Sequence, residues 1–64
     1  MIIHCETNSK SEIKTMNGIK AIKVEYIQNG GYWAKWYGAY DNKDAKAKFK
    51  AEHPECEYLR CKRN

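Results

Sequence analysis

The run Tyr32-Trp33-Ala34-Lys35-Trp36-Tyr37-Gly38-Ala39-Tyr40 carries both tryptophans and three of the five tyrosines of the chain. Aromatic side chains at this density favour a pleated, half-buried strand, and the turn-forming Gln28-Asn29-Gly30-Gly31 directly before them points to a hairpin. With 64 residues the chain is expected to form one small domain (1–64), and its Ile, Val, Leu and Phe are few. Trp and Tyr, each able to bury about 150–250 Å², must then supply much of the core.

The residues before the turn alternate, with Ile22, Val24 and Tyr26 on one side and Lys23, Glu25 and Ile27 on the other, as in a half-buried strand. Two loops could join this strand to the aromatic one. A two-residue loop sets Val24 against Lys35. A three-residue loop over Asn29-Gly30-Gly31 sets Val24 against Trp36 and Glu25 against Lys35; it keeps core opposite core and is preferred. The expected inner face is then Ile22, Val24, Tyr26, Ala34, Trp36 and Tyr40, with Gly38 leaving room for a helix to lie close.

That helix is expected over about 42–53. Asp41 or Asn42 caps it, Asp44 complements its positive end, and Pro54 stops it at or before His53. Ala45 and Phe49 give a narrow apolar stripe, and Lys43, Lys46 and Lys50 line the opposite side. The run from Cys56 to Arg63 alternates again and predicts a last strand that buries Leu59 and Cys61 and exposes Tyr58, Arg60 and Lys62. Residues 1–7 predict a short first strand.

The segment after it is ambiguous. Ser9 and Glu12 fit a capping box, whereas Asn17-Gly18 flanked by Ile13, Met16, Ile19 and Ile22 fits a tight hairpin. The hairpin is preferred, with Ile13 opposite Ile22 and Glu12 opposite Lys23, because so short a helix would be marginal. The expected architecture is α+β: a mainly antiparallel sheet of four to five strands with a single helix packed on one face. A helix over Ser9 to Met16 would give the ferredoxin-like βαββαβ order instead.

Paired carboxylates, phosphate-binding loops and dinucleotide fingerprints are absent, so a non-enzymatic protein without a cofactor is expected. Cys5, Cys56 and Cys61 leave one thiol over in any disulfide scheme, and neither a signal peptide nor a membrane span can be read at the start. These features suggest a protein of the reducing cytoplasm with no membrane partner. His53-x2-Cys56 has a spacing that can chelate zinc, but Pro54 fixes that loop and Cys61 is better explained as a small buried strand residue, so no metal is expected.

A formal net charge of +4 and a pI near 9.0 suit an acidic partner. Under the preferred register, the open side of the hairpin carries Lys23, Glu25, Ile27, Trp33, Lys35 and Tyr37, and the last strand adds Tyr58, Arg60 and Lys62. Aromatic rings among cations suit DNA or RNA, above all single strands, because bases stack on rings while cations follow phosphates; each stacked base contributes about 1–3 kcal/mol. Lys43, Lys46 and Lys50 would add secondary phosphate contacts, although a charge run on a helix is usually a solvated face.

The rival expectation is a protein-interaction module, such as a small inhibitor or regulator from a mobile genetic element, that uses the same aromatics on an acidic protein. A homodimer would also cover those rings. Gly38-Ala39-Tyr40-Asp41-Asn42-Lys43-Asp44-Ala45 resembles the strand-to-helix junction of integrase arm-type DNA-binding domains, with the alanine one position early and an added strand after the helix. That resemblance implies a three-stranded sheet before the helix and keeps duplex DNA as a candidate ligand.

Overall fold

The computed structural model describes residues 4–63. Strand β1 (His4–Glu6) is followed by one 3-10 turn (Lys10–Glu12), then β2 (Lys20–Gln28), β3 (Gly31–Ala39), helix α1 (Asn42–Glu52) and β4 (Glu57–Arg63). The four strands form one sheet in the order β1-β3-β2-β4; β2 is antiparallel to both β3 and β4, and β1 runs parallel to β3. The fold is thus α+β, with a mixed, mostly antiparallel sheet and one helix on one face. Of the expected strand over 1–7, the first three residues lie outside those described.

A two-residue turn fixes the sheet. Asn29 (φ 53°) and Gly30 (φ 76°) both adopt left-handed backbone, as a type I′ turn requires. Gln28 therefore pairs with Gly31, Tyr26 with Trp33, Val24 with Lys35 and Ile22 with Tyr37. The expected three-residue loop is not formed. Directly opposed residues share a face, so the one-residue difference turns β3 over while β2 keeps its expected orientation. Trp33, Lys35 and Tyr37 join Ile22, Val24 and Tyr26 on the helix side. Trp36 lies on the other side, and Tyr40 is 59% exposed, so neither belongs to the core as expected.

Helix α1 starts with reciprocal capping. The Asp44 N–H donates to Asp41 Oδ1 at 2.8 Å, and the Tyr40 N–H donates to Asp44 Oδ2 at 3.1 Å. The helix ends where Pro54 follows His53. Ala45 and Phe49 point into the sheet and are fully buried. Phe49 packs on Tyr26 with ring centroids 4.9 Å apart, and the His53 ring stacks on the same tyrosine at 5.6 Å. Burying Phe49 contributes about 1.5–3 kcal/mol. One flank of α1 is tied to β3, where Lys48 Nζ donates to the Gly38 carbonyl at 2.6 Å. The other flank meets β4, where Lys46 Nζ stands 4.7 Å from the Tyr58 ring centroid.

In β4 the pairing shifts between Glu25, opposite Arg60, and Tyr26, opposite Tyr58, so Leu59 is an additional residue in a bulge. This corrects the simple alternation read from the sequence. Tyr58 and Cys61 both turn toward the helix side, Leu59 is half-buried at the bulge, and Arg60 and Lys62 remain on the opposite face.

Between β1 and β2 both sequence signals appear in part. The Ser9 N–H donates to Glu12 Oε2 at 2.6 Å, closing the single 3-10 turn, and Asn17-Gly18 forms a tight turn closed by the Ile19 N–H on the Met16 carbonyl at 2.8 Å. Ile13 to Met16 do not form a strand, so Ile13 and Glu12 do not pair with Ile22 and Lys23. Ile13 and Ile19 instead close over Gly38, where an added Cβ would stand 3.3 and 3.2 Å from their Cγ2 atoms. The room left by Gly38 is taken by this loop on the face opposite α1, not by the helix. Beyond β1, the Asn8 side chain continues the pairing by accepting from the Trp36 N–H at 2.7 Å and donating to its carbonyl at 3.0 Å. Three strands precede α1, with β1 parallel to β3, and β4 adds a fourth at the β2 edge.

Candidate nucleic-acid interface

The face opposite α1 is built from the odd residues of β2 and the even residues of β3. Strand pairing sets its side chains in rows. Lys62, Lys23 and Trp36 form one row across β4, β2 and β3; Arg60, Glu25 and Ala34 form the next, with Glu6 of β1 at its end; Glu57, Ile27 and Tyr32 form the third. Lys23 Nζ lies 5.7 Å from the Trp36 ring centroid, within range of a cation–π attraction. The indole Nε1–H donates to Glu6 Oε1 at 3.1 Å, which orients the ring. Trp36, Tyr32, Ile27 and Lys23 are half-buried, while Arg60 and Lys62 are exposed.

The centre of the face holds a buried charge. Glu25 is only 3% exposed, and its Oε1 accepts from Arg60 Nε and, at 3.2 Å, from the Tyr32 hydroxyl. Burial alone would raise the Glu25 carboxyl, but the Arg60 hydrogen bond and charge, together with Tyr32 and Lys62, outweigh it and hold the group below the usual range. Removing Arg60 would leave this buried carboxylate without its paired charge.

Of the nine residues expected on one open face, the structure brings Lys23, Glu25, Ile27, Arg60 and Lys62 together and places the other four behind the sheet. Trp33 and Tyr58 pack against the core, and Tyr37 is buried in it. Lys35 Nζ reaches Glu52 Oε1 at 2.8 Å and lies 5.2 Å from the Tyr37 ring centroid. The reasons are the two-residue turn for β3 and the Leu59 bulge for Tyr58. The aromatics that do occupy the face, Trp36 and Tyr32, were missed; Asn29-Gly30 as a type I′ pair was the signal that could have found them.

Lys43, Lys46 and Lys50 are exposed on α1, with Lys46 over Tyr58 on the flank facing β4. Cations therefore stand on both sides of the β4 edge, and the Tyr58 hydroxyl beneath Lys46 is pushed up to about 12 by burial and by its contact with Cys61.

The three cysteines are free thiols, and among the described residues no three His, Cys, Asp or Glu side chains converge as a metal site. The His53 ring is occupied by Tyr26 and Phe49. No described helix is long and apolar enough to cross a membrane. No family model, curated protein or solved structure matches the chain.

Proposed function

We propose that the chain is a non-enzymatic binding protein that takes nucleic acid, preferentially single-stranded, on the sheet face opposite α1. The observation that carries the reading is the row Lys62-Lys23-Trp36, which puts two cations beside a half-buried indole, with Arg60 and Tyr32 in the neighbouring rows. Bases stack on such rings and phosphates follow such cations. The three free thiols support a reducing compartment such as the cytoplasm.

The test is tryptophan fluorescence titrated with single-stranded and duplex oligonucleotides at two salt concentrations. Quenching by the single strand is expected to vanish in Trp36→Phe and persist in Trp33→Phe, because the two indoles lie on opposite faces. Affinity should fall with log salt by about 0.7 per phosphate neutralised. Binding that survives Trp36→Ala undiminished would remove the reading.

A protein partner is the second reading, favoured by Tyr40 and Met16, large apolar side chains that are 59% and 57% exposed. Its signs are binding that ignores salt, no mobility shift of DNA or RNA, and loss on Tyr40→Ala with Trp36→Ala silent.

A further inference from the structure

The cations of this face are not evenly spread. Lys23 and Lys62 are direct cross-strand partners on β2 and β4. Like charges set opposite each other destabilise a sheet, and among the described residues neither lysine is in a salt bridge. The next residue on this face of β4 is Arg60, bound through Nε to the buried Glu25. That bond and a side-chain hydrogen bond with Tyr32 orient the guanidinium, and the rest of its five-donor fork sits on a side chain that is 59% exposed.

Resting on the nucleic-acid reading, we infer that Lys23, Lys62 and Arg60 form a receptor for one phosphate group, and that Glu25 is the positioning residue that holds Arg60 in it. A phosphate between the two lysines relieves their mutual repulsion and accepts from the arginine fork, an arrangement suited to planar, bidentate recognition. Trp36 lies across β2 from Lys62 in the same row, so a nucleotide bound by its phosphate can lay its base on the indole. Glu25, although negative, favours the anion because its charge is spent on Arg60 and Tyr32.

The sign of a substitution separates positioning from plain electrostatics. With a single-stranded thymidine oligonucleotide as probe, Glu25→Gln removes a negative charge from the face yet is expected to weaken binding about tenfold, the worth of a charge-assisted hydrogen bond. Arg60→Ala added to it should cost little more. Tighter binding by Glu25→Gln would overturn the inference. Should that variant not fold, Arg60→Lys decides the matter on the exposed side: it keeps the charge but loses the fork, so binding as weak as in Arg60→Ala is expected, and full retention would overturn it.

Inorganic phosphate alone, followed by the side-chain resonances of Arg60, Lys23 and Lys62, distinguishes the two readings. Saturable shifts without oligonucleotide binding leave the receptor standing and remove the strand. Oligonucleotide binding through Trp36, with no phosphate shift and no loss in Arg60→Lys, keeps the strand and removes the receptor.

Discussion

The Tyr37 hydroxyl donates to Glu52 Oε1 at 2.8 Å, joining the last turn of α1 to the middle of β3. Lys35 Nζ reaches the same oxygen at the same distance, so one carboxylate gathers two β3 side chains that would otherwise be a buried hydroxyl and a loose ammonium. Burial first, then the acceptor Glu52, pushes the Tyr37 phenol far above its ordinary value, so it stays a donor throughout the physiological range. Tyr37→Phe is expected to cost about 1 kcal/mol in urea unfolding at neutral pH, since it removes one neutral-to-charged hydrogen bond and leaves Glu52 with Lys35. No change in the unfolding midpoint would mean that the contact contributes nothing to stability.

Acid should destabilise the fold through named carboxylates. Glu52 is held below its ordinary value of 4.5 by Lys35 and Tyr37, and Asp44 below 3.8 by the Tyr40 N–H and Lys48. At Glu25, burial raises the group but Arg60 and Tyr32 prevail, and the net shift is again downward. A group whose pKa is lower folded than unfolded binds more protons unfolded. Its stabilisation is therefore complete above the unfolded value and is lost as pH falls through the folded one. The urea midpoint should be flat above about pH 5 and drop below it. Glu25→Gln should flatten that drop, and a midpoint that rises on acidification would contradict the assignment.

Much of the fold could be read from the sequence because its signals were local. Asp41, Asp44 and Pro54 bound α1 to within a residue of Asn42–Glu52, and the alternation of Ile22, Val24 and Tyr26 oriented β2. The candidate site was harder because it depends on the register between two strands. Pairing Val24 with Lys35 looks unfavourable until Glu52, seventeen positions along the chain from Lys35, is known to meet the ammonium. Tertiary contact made the odd pairing acceptable, and β3 turned over as a result. The Leu59 bulge left no trace in the alternation of β4, so the inward turn of Tyr58 could not be read either.

Two glycines separate backbone strain from crowding. Gly30 has φ 76° with open space where a Cβ would go, so Gly30→Ala should cost about 1–2 kcal/mol through the left-handed backbone alone. At Gly38 an added methyl would meet Ile19 and Ile13 at 3.2 and 3.3 Å, so Gly38→Ala should push the 13–19 loop off the sheet. Amide hydrogen exchange is expected to quicken at Ile19 in Gly38→Ala and to stay unchanged there in Gly30→Ala. Equal protection of Ile19 in both would show that the loop does not depend on this gap.

Phe49 is the side chain on which the two layers depend. It is fully buried, and Tyr26, His53 and Tyr58 surround its ring at centroid distances of 4.9, 5.6 and 6.1 Å. Phe49→Ala should cost about 3–5 kcal/mol, the range for emptying an aromatic site in a rigid core. A domain of this size has roughly that much stability in total, so the variant is expected to be largely unfolded at 25 °C by circular dichroism. Phe49→Leu, which refills most of the space, should fold with a lowered melting temperature. Lys46→Ala, which removes only an exposed cation over the Tyr58 ring, should change stability by about 1 kcal/mol or less. A Phe49→Ala protein as stable as Lys46→Ala would mean that α1 is held by its polar flank contacts to β3 and not by the aromatic cluster.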